Sequence, residues 1–433
     1  MNDSHLKKER PKLSDVCVYG GKQNDAFVGI RYEDGALKVF FPFGYSKPAL
    51  KIEKEYRKDI LNLVSVLSSF EKESLFAKDN FLNREDVSFP IHAYIYVFNY
   101  FLNNGYYIEN EPVYRCAKSG KINWAKTIKC MRPQMAGDHL GKSAVYLHFV
   151  TKKSAHNENE LITQIHKYCV YEAFEKIGIL FGYPQPDPPK IPFNAATFAA
   201  IIQSKMARTF HEKHLLLFQN MLDMIRFVGK KKDDRRISYG TYHFEYIWEG
   251  LIDRVFGIAD KEQYFPHCRW KIKGHKDETF DWRNEKRNAL RPDTIMVANV
   301  PGIFILDAKY YQYGDDGVNK SNSRNPRTLP GSGSILKQIA YAEFIESKIF
   351  PSLSKGNLYN AFILPYAAKD GQNTETNYRL ENFGYAECEW KTENARSYEK
   401  IHGILLDVRS IMQRHPKSSK NDRAELARII TDK

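Results

Sequence analysis

The spacing of apolar positions changes several times along the chain, and each change predicts a different kind of element. Between residues 14 and 45 apolar side chains come in short extended runs: Val16-Cys17-Val18-Tyr19, then Ala26 to Arg31, then Leu37 to Pro42. Asp34-Gly35 separates the last two, a turn pair that predicts a hairpin. Residues 55–72 switch to helical spacing, and 91–103 predict an aromatic-rich helix. Short strands return over 111–151, including Ala144 to Val150. Residues 1–152 therefore read as one α+β domain. From about 157 the period is helical again, with Leu161, Ile165, Cys169 and Phe174 in register. Pro184, Pro186, Pro188 and Pro189 end that helix, because proline lacks the backbone donor and clashes with the preceding turn. A second helical section over 195–228 completes a helical connector, 153–236.

The remaining stretch, 237–433, opens with a helix at 241–257. Its apolar stripe is Phe244, Ile247, Trp248, Leu251 and Val255. Two apolar β runs follow within 291–311, joined by Pro301-Gly302 as a hairpin. After a loop of about 20 residues come a helix near 335–349, strands at 358–364 and 383–390, and a strand with a helix over 401–414. The order predicts a mixed sheet flanked by helices, and no repeat of fixed period is present. The fold class expected is therefore multidomain α+β or α/β.

Composition adds charge to this picture. Across 433 residues, Lys plus Arg number 65 against 52 Asp plus Glu, a net charge of +13. That excess suits a polyanion such as nucleic acid. Basic residues gather at Lys230-Lys231-Lys232 with Arg235-Arg236, and at Arg324 and Arg327 in a Gly/Ser/Asn-rich loop, a backbone clamp in outline. No run reaches the ~20 apolar residues of a membrane span, and Met1 to Lys12 lacks the apolar core of a signal peptide. Six scattered cysteines form no CxxC pair, which predicts a reducing, cytoplasmic compartment. His243, His267 and His275 show no metal-ligand spacing.

Chemistry concentrates at the hairpin. Asp293 heads the first β run, and Asp307 ends the apolar Ile303-Phe304-Ile305-Leu306 of the second, with Lys309 two residues on. Pairing the runs brings both aspartates to one end of the sheet, and the two-residue period points Lys309 to the face of Asp307. Two carboxylates and an ammonium are the groups needed to hold Mg²⁺, with Mn²⁺ as a substitute, and to position water against a phosphodiester. A solvated ion pair is the plainer alternative, but a charge after so apolar a run is costly to bury without purpose. On the preceding helix Glu245 and Glu249 stand one turn apart. Glu249 is the preferred further ligand or base, although Glu245 lies nearer the apolar stripe. On the following helix Gln338 and Tyr341 share a face at i, i+3, placed to touch a phosphate or brace the site. Gly137-Asp138-His139-Leu140-Gly141-Lys142-Ser143 imitates a phosphate loop, but it is one residue short between its glycines. It follows no apolar strand and leads into a strand rather than a helix. Nucleotide binding is rejected, so energy for any translocation has to come from another subunit.

Pro292-Asp293, thirteen intervening residues, then Asp307-Ala308-Lys309 matches the PD-(D/E)xK pattern of restriction-nuclease-like proteins. Together with Trp248-Glu249, Ile305 to Tyr310 and Lys337 to Ala342, it resembles the nuclease domain of the McrC family, particularly LlaJI-type restriction endonucleases. Gly120 to Ile128 resembles a segment preceding the nuclease in such proteins, so the likeness covers roughly 110–350. The resemblance implies a PD-(D/E)xK mixed-sheet core over 237–433 that cleaves double-stranded DNA. Asp293 and Asp307 would hold Mg²⁺, and Lys309 would orient or stabilise the attacking hydroxide. It also implies an AAA+ GTPase partner of the McrB kind. For residues 1–152 a partner-docking or DNA-contacting role stays open. The expectation is a Mg²⁺-dependent endodeoxyribonuclease of a restriction system. The alternatives are an RNA or DNA-repair nuclease on the same fold, or a DNA-binding assembly subunit with a vestigial motif.

Overall fold

The computed structural model describes residues 12–20, 27–33, 36–48, 52–76, 89–137, 143–157, 160–230, 238–266, 269–271, 279–281, 290–298, 302–314, 324–349, 358–368, 379–391, 396–414 and 420–431. In chain order they form α1 (Leu13–Val16), β1 (Cys17–Val18), β2 (Val28–Glu33), β3 (Ala36–Phe40), α2 (Glu53–Phe76), α3 (Ile91–Asn104), β4 (Glu109–Ala117) and α4 (Trp124–Cys130). Next come β5 (Gln134–Ala136), β6 (Ser143–Val145), β7 (Phe149–Asn157), α5 (Leu161–Phe181), α6 (Ala195–Met206), α7 (Glu212–Val228), β8 (Ser238–Thr241) and α8 (Phe244–Phe256). The last part holds β9 (Arg269–Lys271), β10 (Thr279–Asp281), β11 (Thr294–Ala298), β12 (Gly302–Ala308), α9 (Ser332–Phe344), β13 (Leu358–Tyr366), β14 (Leu380–Ala386), β15 (Ile401–Asp407), α10 (Val408–Arg414) and α11 (Lys420–Thr431).

Packing divides the chain differently from the three-part reading of the sequence. One unit joins residues 1–89 to 236–433, and the other is 90–235. The stretch 1–152 is thus shared between the two. In the first unit β8 closes a four-stranded sheet of order β1-β3-β2-β8, pairing antiparallel with β2. Gly29 sits opposite Gly240 there, and a Cβ on either would fall 2.2 Å from a carbonyl oxygen of the neighbouring strand. The absence of a side chain at both positions lets the strands meet.

The second sheet of this unit has order β11-β12-β13-β15-β14. β11 and β14 run antiparallel to their neighbours, while β12, β13 and β15 are parallel. The central strands are buried along nearly their whole length, as strands covered on both faces must be. On one face, Ile295, Ile303, Ile305, Phe362, Leu364, Ile401 and Leu405 pack with Ile339, Tyr341 and Ala342 of α9. α8 buries Phe244, Ile247, Trp248, Leu251, Ile252, Val255 and Phe256, the predicted stripe and its flanks. Gly250 lets α8 approach α2, since a Cβ there would lie 2.3 Å from the Phe70 ring.

In the unit formed by 90–235, α5 ends where Gly182 takes the left-handed conformation, φ 74°. The prolines beyond it keep the chain out of helix until Asn194 caps α6, accepting from Thr197 N at 3.0 Å. The single helical section expected over 195–228 is two helices, α6 and α7, separated at 207–211. The run Ala144 to Val150 is likewise split between β6 and β7. Of residues 114–137 and 143–152 only Thr127, Val150 and Thr151 are buried. Here backbone pairing of β4 with β7 and of β5 with β6, not a core, supplies the order. Asp138 to Lys142 of the phosphate-loop imitation, the Asp34-Gly35 turn, Pro301, His267, His275 and the basic run beyond Lys230 lie outside the described residues. No helix among the described residues is long and apolar enough to cross a membrane, and the described cysteines are free thiols.

Candidate active site

The β11–β12 hairpin assembles the candidate site. Thr294 pairs with Leu306, which sets Asp293 opposite Asp307 at the open end of the hairpin. Asp293 precedes the first ladder residue, and its Oδ2 accepts from Ala308 N at 3.1 Å, continuing the pairing with a side chain where the backbone ladder stops. Asp307 is 3% exposed. Alternation places it on the face of Ile303 and Ile305, under α9. Lys309 N donates to Ile363 O at 3.0 Å, so β13 holds the backbone as it leaves β12. The Lys309 Nζ then reaches back to Asp307 Oδ2 at 2.7 Å.

These charges are not independent. Burial raises the Asp293 carboxyl well above the usual carboxylate range, and Asp307 and Glu249 push it the same way while Lys309 opposes them. Asp293 and Asp307 also lie within hydrogen-bonding reach of each other. Two carboxyls so close in a dry setting cannot both carry charge without a proton or cation between them. For Lys309, burial works against the ammonium, but Asp307 and Asp293 outweigh it and hold its pKa above the ordinary value.

The flanking helices contribute unequally. Trp248 Nε1 donates at 3.3 Å to Ile363 O, the carbonyl that also receives Lys309 N, so α8 is registered against β13 at the point where that strand holds the lysine's backbone. Glu249, next along the helix, is partly buried. Its pKa is raised by desolvation, with Lys309 opposing and Asp307 reinforcing the rise. Glu245 turns instead to His243 Nδ1 at 3.0 Å, both side chains being over two-fifths exposed. On α9, Tyr341 is buried and donates from its hydroxyl to Arg291 O at 3.0 Å, two residues before Asp293. Gln338 is 1% exposed, and neither atom of its amide has a hydrogen-bond partner. Its backbone carbonyl accepts from Asn360 Nδ2 at 3.1 Å. Asp293, Asp307 and Lys309 are thus in direct contact, whereas Glu249 joins them through its field. Of the two loop arginines, Arg324 is engaged in a two-pronged pair with Glu381, at 2.5 and 2.7 Å. It is committed to β14 rather than held ready for a phosphate backbone.

The donor set suits a hard cation. Asp293 and Asp307 offer carboxylate oxygens whose mutual repulsion a divalent ion would relieve. Magnesium is commonly held by one or two carboxylates, with water and substrate phosphate completing its shell. Among the described residues no group of three His, Cys, Asp or Glu is arranged around a metal position. Sequence reasoning missed Lys261. Its Nζ donates at 2.7 Å both to Asp293 O and to Asp253 Oδ2. The available signal was Asp253, which follows Glu249 by one helical turn.

Residues 27–384 match the family model of the LlaJI restriction endonuclease. The match reaches beyond 110–350 on both sides and takes in β2 and β3, which lie outside the stretch that showed a likeness by motif. Over 316 residues the chain is 25% identical to the component YdjA of the type II restriction enzyme BsuMI from Bacillus subtilis (strain 168). That alignment covers 70% of this chain and 63% of that protein, so the chain spans less than two thirds of the relative's length. With more than half of its residues within one family model, the chain belongs to the LlaJI restriction endonuclease family.

Proposed function

We propose that the protein is a Mg²⁺-dependent endodeoxyribonuclease, the DNA-cleaving subunit of a restriction system, built on a PD-(D/E)xK core. The observation that carries this reading is the Asp293–Asp307 pair, opposed across β11 and β12 with Lys309 Nζ 2.7 Å from Asp307. Membership of a restriction endonuclease family supports it, and the description of the relative as a component supports a partner subunit. By family resemblance that partner is an AAA+ GTPase. The exposed Arg115, Lys118, Lys121, Lys126, Lys129, Arg132 and Lys152 around α4 support a polyanionic substrate.

Magnesium held by Asp293 and Asp307 would supply positive charge against the phosphoryl oxygens as negative charge develops there. Lys309 supplies a fixed ammonium beside the same carboxylates, placed to orient the attacking water and to stabilise that charge. Burial keeps this ammonium in a low-dielectric setting, where its effect exceeds that of a surface lysine. Glu249, with its raised pKa, is placed to accept a proton near this group. The unpaired amide of Gln338 is available to a bound phosphate or water.

Asp293→Asn, Asp307→Asn and Lys309→Met are each expected to lower Mg²⁺-dependent cleavage of duplex DNA by about 10²- to 10³-fold or more. Asp293→Asn removes a like charge from a dry site, so melting of the metal-free protein should not fall; Asp307→Asn also removes the ion-pair partner of Lys309, so its melting is measured beside its activity. Cleavage at the parent rate by folded Asp307→Asn would refute the mechanism. A second reading, a non-catalytic subunit, is favoured only by the word component in the relative's description. It requires that no Mg²⁺ binding depends on Asp293, which calorimetry measures directly.

A further inference from the structure

Resting on the nuclease reading, the geometry points to Lys261 and Asp253 as a positioning pair that sets Asp293 for metal binding. Asp293 has little backbone support of its own. It precedes the β11 ladder, and the residue before it, Pro292, has no N–H with which to anchor the segment. Two side chains from different elements take the carbonyls of Arg291 and Asp293, on either side of that proline. Tyr341 of α9 donates to Arg291 O at 3.0 Å, and Lys261 donates to Asp293 O at 2.7 Å. Lys261 is in turn fixed by Asp253 Oδ2 at 2.7 Å. Asp253 projects from α8 one turn beyond Glu249, and Trp248 of α8 donates to Ile363 O of β13, the carbonyl that also holds Lys309 N. The helix that brings Glu249 toward Lys309 and Asp307 therefore also fixes, through Lys261, the main chain of Asp293.

Lys261 holds the Asp293 carbonyl, so it acts on the main chain from which the carboxyl projects. Asp293 has one oxygen engaged by Ala308 N, and its position relative to Asp307 depends on where the main chain places it. Residues that orient metal ligands from behind typically change metal affinity by about 10- to 100-fold when removed. Lys261→Met frees the carbonyl. Asp253→Asn loosens the ammonium but leaves it present.

The test is calorimetric titration of the full chain with Mg²⁺ or Mn²⁺ alone, beside cleavage rates over a range of metal concentrations. Binding to Lys261→Met should weaken about 10- to 100-fold. Saturating metal should recover most of the rate, while melting shows the variant folded at the assay temperature. Asp253→Asn should shift binding the same way by less, and the double variant should fall short of the sum, because the two residues act as one unit. Lys261→Arg, which keeps a donor, should restore part of the affinity. If Lys261→Met does not fold, the Asp253→Asn titration decides alone. Asp293-dependent binding that is within twofold of parent in the variants that fold overturns the positioning role and leaves the nuclease reading intact. Absence of any Asp293-dependent binding in the parent overturns the nuclease reading itself.

Discussion

Asp293 and His166 show how burial acts on single titratable groups in opposite chemical settings. Asp293 is raised by burial and by the like charges beside it. His166 is fully buried on α5, where its Nδ1 accepts from Tyr107 N at 2.9 Å. Desolvation alone lowers its pKa to about 3. The folded state therefore keeps it neutral down to that pH, while the unfolded chain takes up a proton near 6.5. Stability from this group is complete above 6.5 and is lost as pH falls toward 3, at about 1.4 kcal/mol per pH unit. Acidification from pH 7 to 4.5 should cost on the order of 3 kcal/mol through His166. His166→Asn retains an acceptor for Tyr107 N and should flatten that decline in urea unfolding; an equally steep decline would rule His166 out as its source. Nothing in the sequence marked His166, since a histidine at helical spacing reads alike buried or exposed. Asp293, Asp307 and Lys309 were legible because their spacing fits two strands of a hairpin. Lys261 was not, because its role depends on a contact with a main-chain carbonyl 32 positions away.

At the scale of elements, α2 and α10 are joined by an ion pair that burial makes expensive to break. Asp59 of α2 is 0% exposed. Arg409 Nε lies 3.1 Å from both its oxygens, and Gln413 Nε2 donates at 3.1 Å to Oδ1. Burial raises the Asp59 carboxyl, with Arg409 the largest opposing influence. Arg409→Met leaves that carboxylate without its cation and should destabilise the unit by about 3–5 kcal/mol. Changing both residues to apolar ones, Asp59→Leu with Arg409→Met, should recover most of the loss; a double variant as unstable as the single would show that packing, not charge, is at stake. Elements with a strong period were the readable ones. α8, α5 and the β11–β12 hairpin fall where their apolar spacing placed them, because each buries a face. α4, β5 and β6 bury almost nothing, so they leave no pattern to read. α11 is hidden by its charge: it buries Asp422, Leu426, Ala427 and Ile430 amid polar neighbours.

For the whole molecule, the consequential feature is that one unit is made of two separated stretches of chain. Strand pairing across such a gap has no local signature, and a reading along the sequence therefore placed boundaries at 152 and 236. The gap closes in space: Phe89 N donates to Ser238 O at 3.3 Å, at the point where 90–235 departs and returns. Arg31 also donates to the hydroxyl of Tyr242, 211 positions away, at 2.6 Å. A chain in which 90–237 is replaced by a Gly/Ser linker of about four to six residues has only this short junction to span. It keeps β8 on β2, Gly240 against Gly29 and Arg409 on Asp59. A chain beginning at 237 loses all three, leaving β8 as an unpaired edge and Arg409 without its buried partner. The linked chain should therefore melt in one cooperative transition and retain Asp293-dependent Mg²⁺ binding, whereas the chain from 237 onward should show neither. Equal melting of the two by circular dichroism would mean that 237–433 is self-sufficient, and that the amino-terminal strands decorate this unit without completing it.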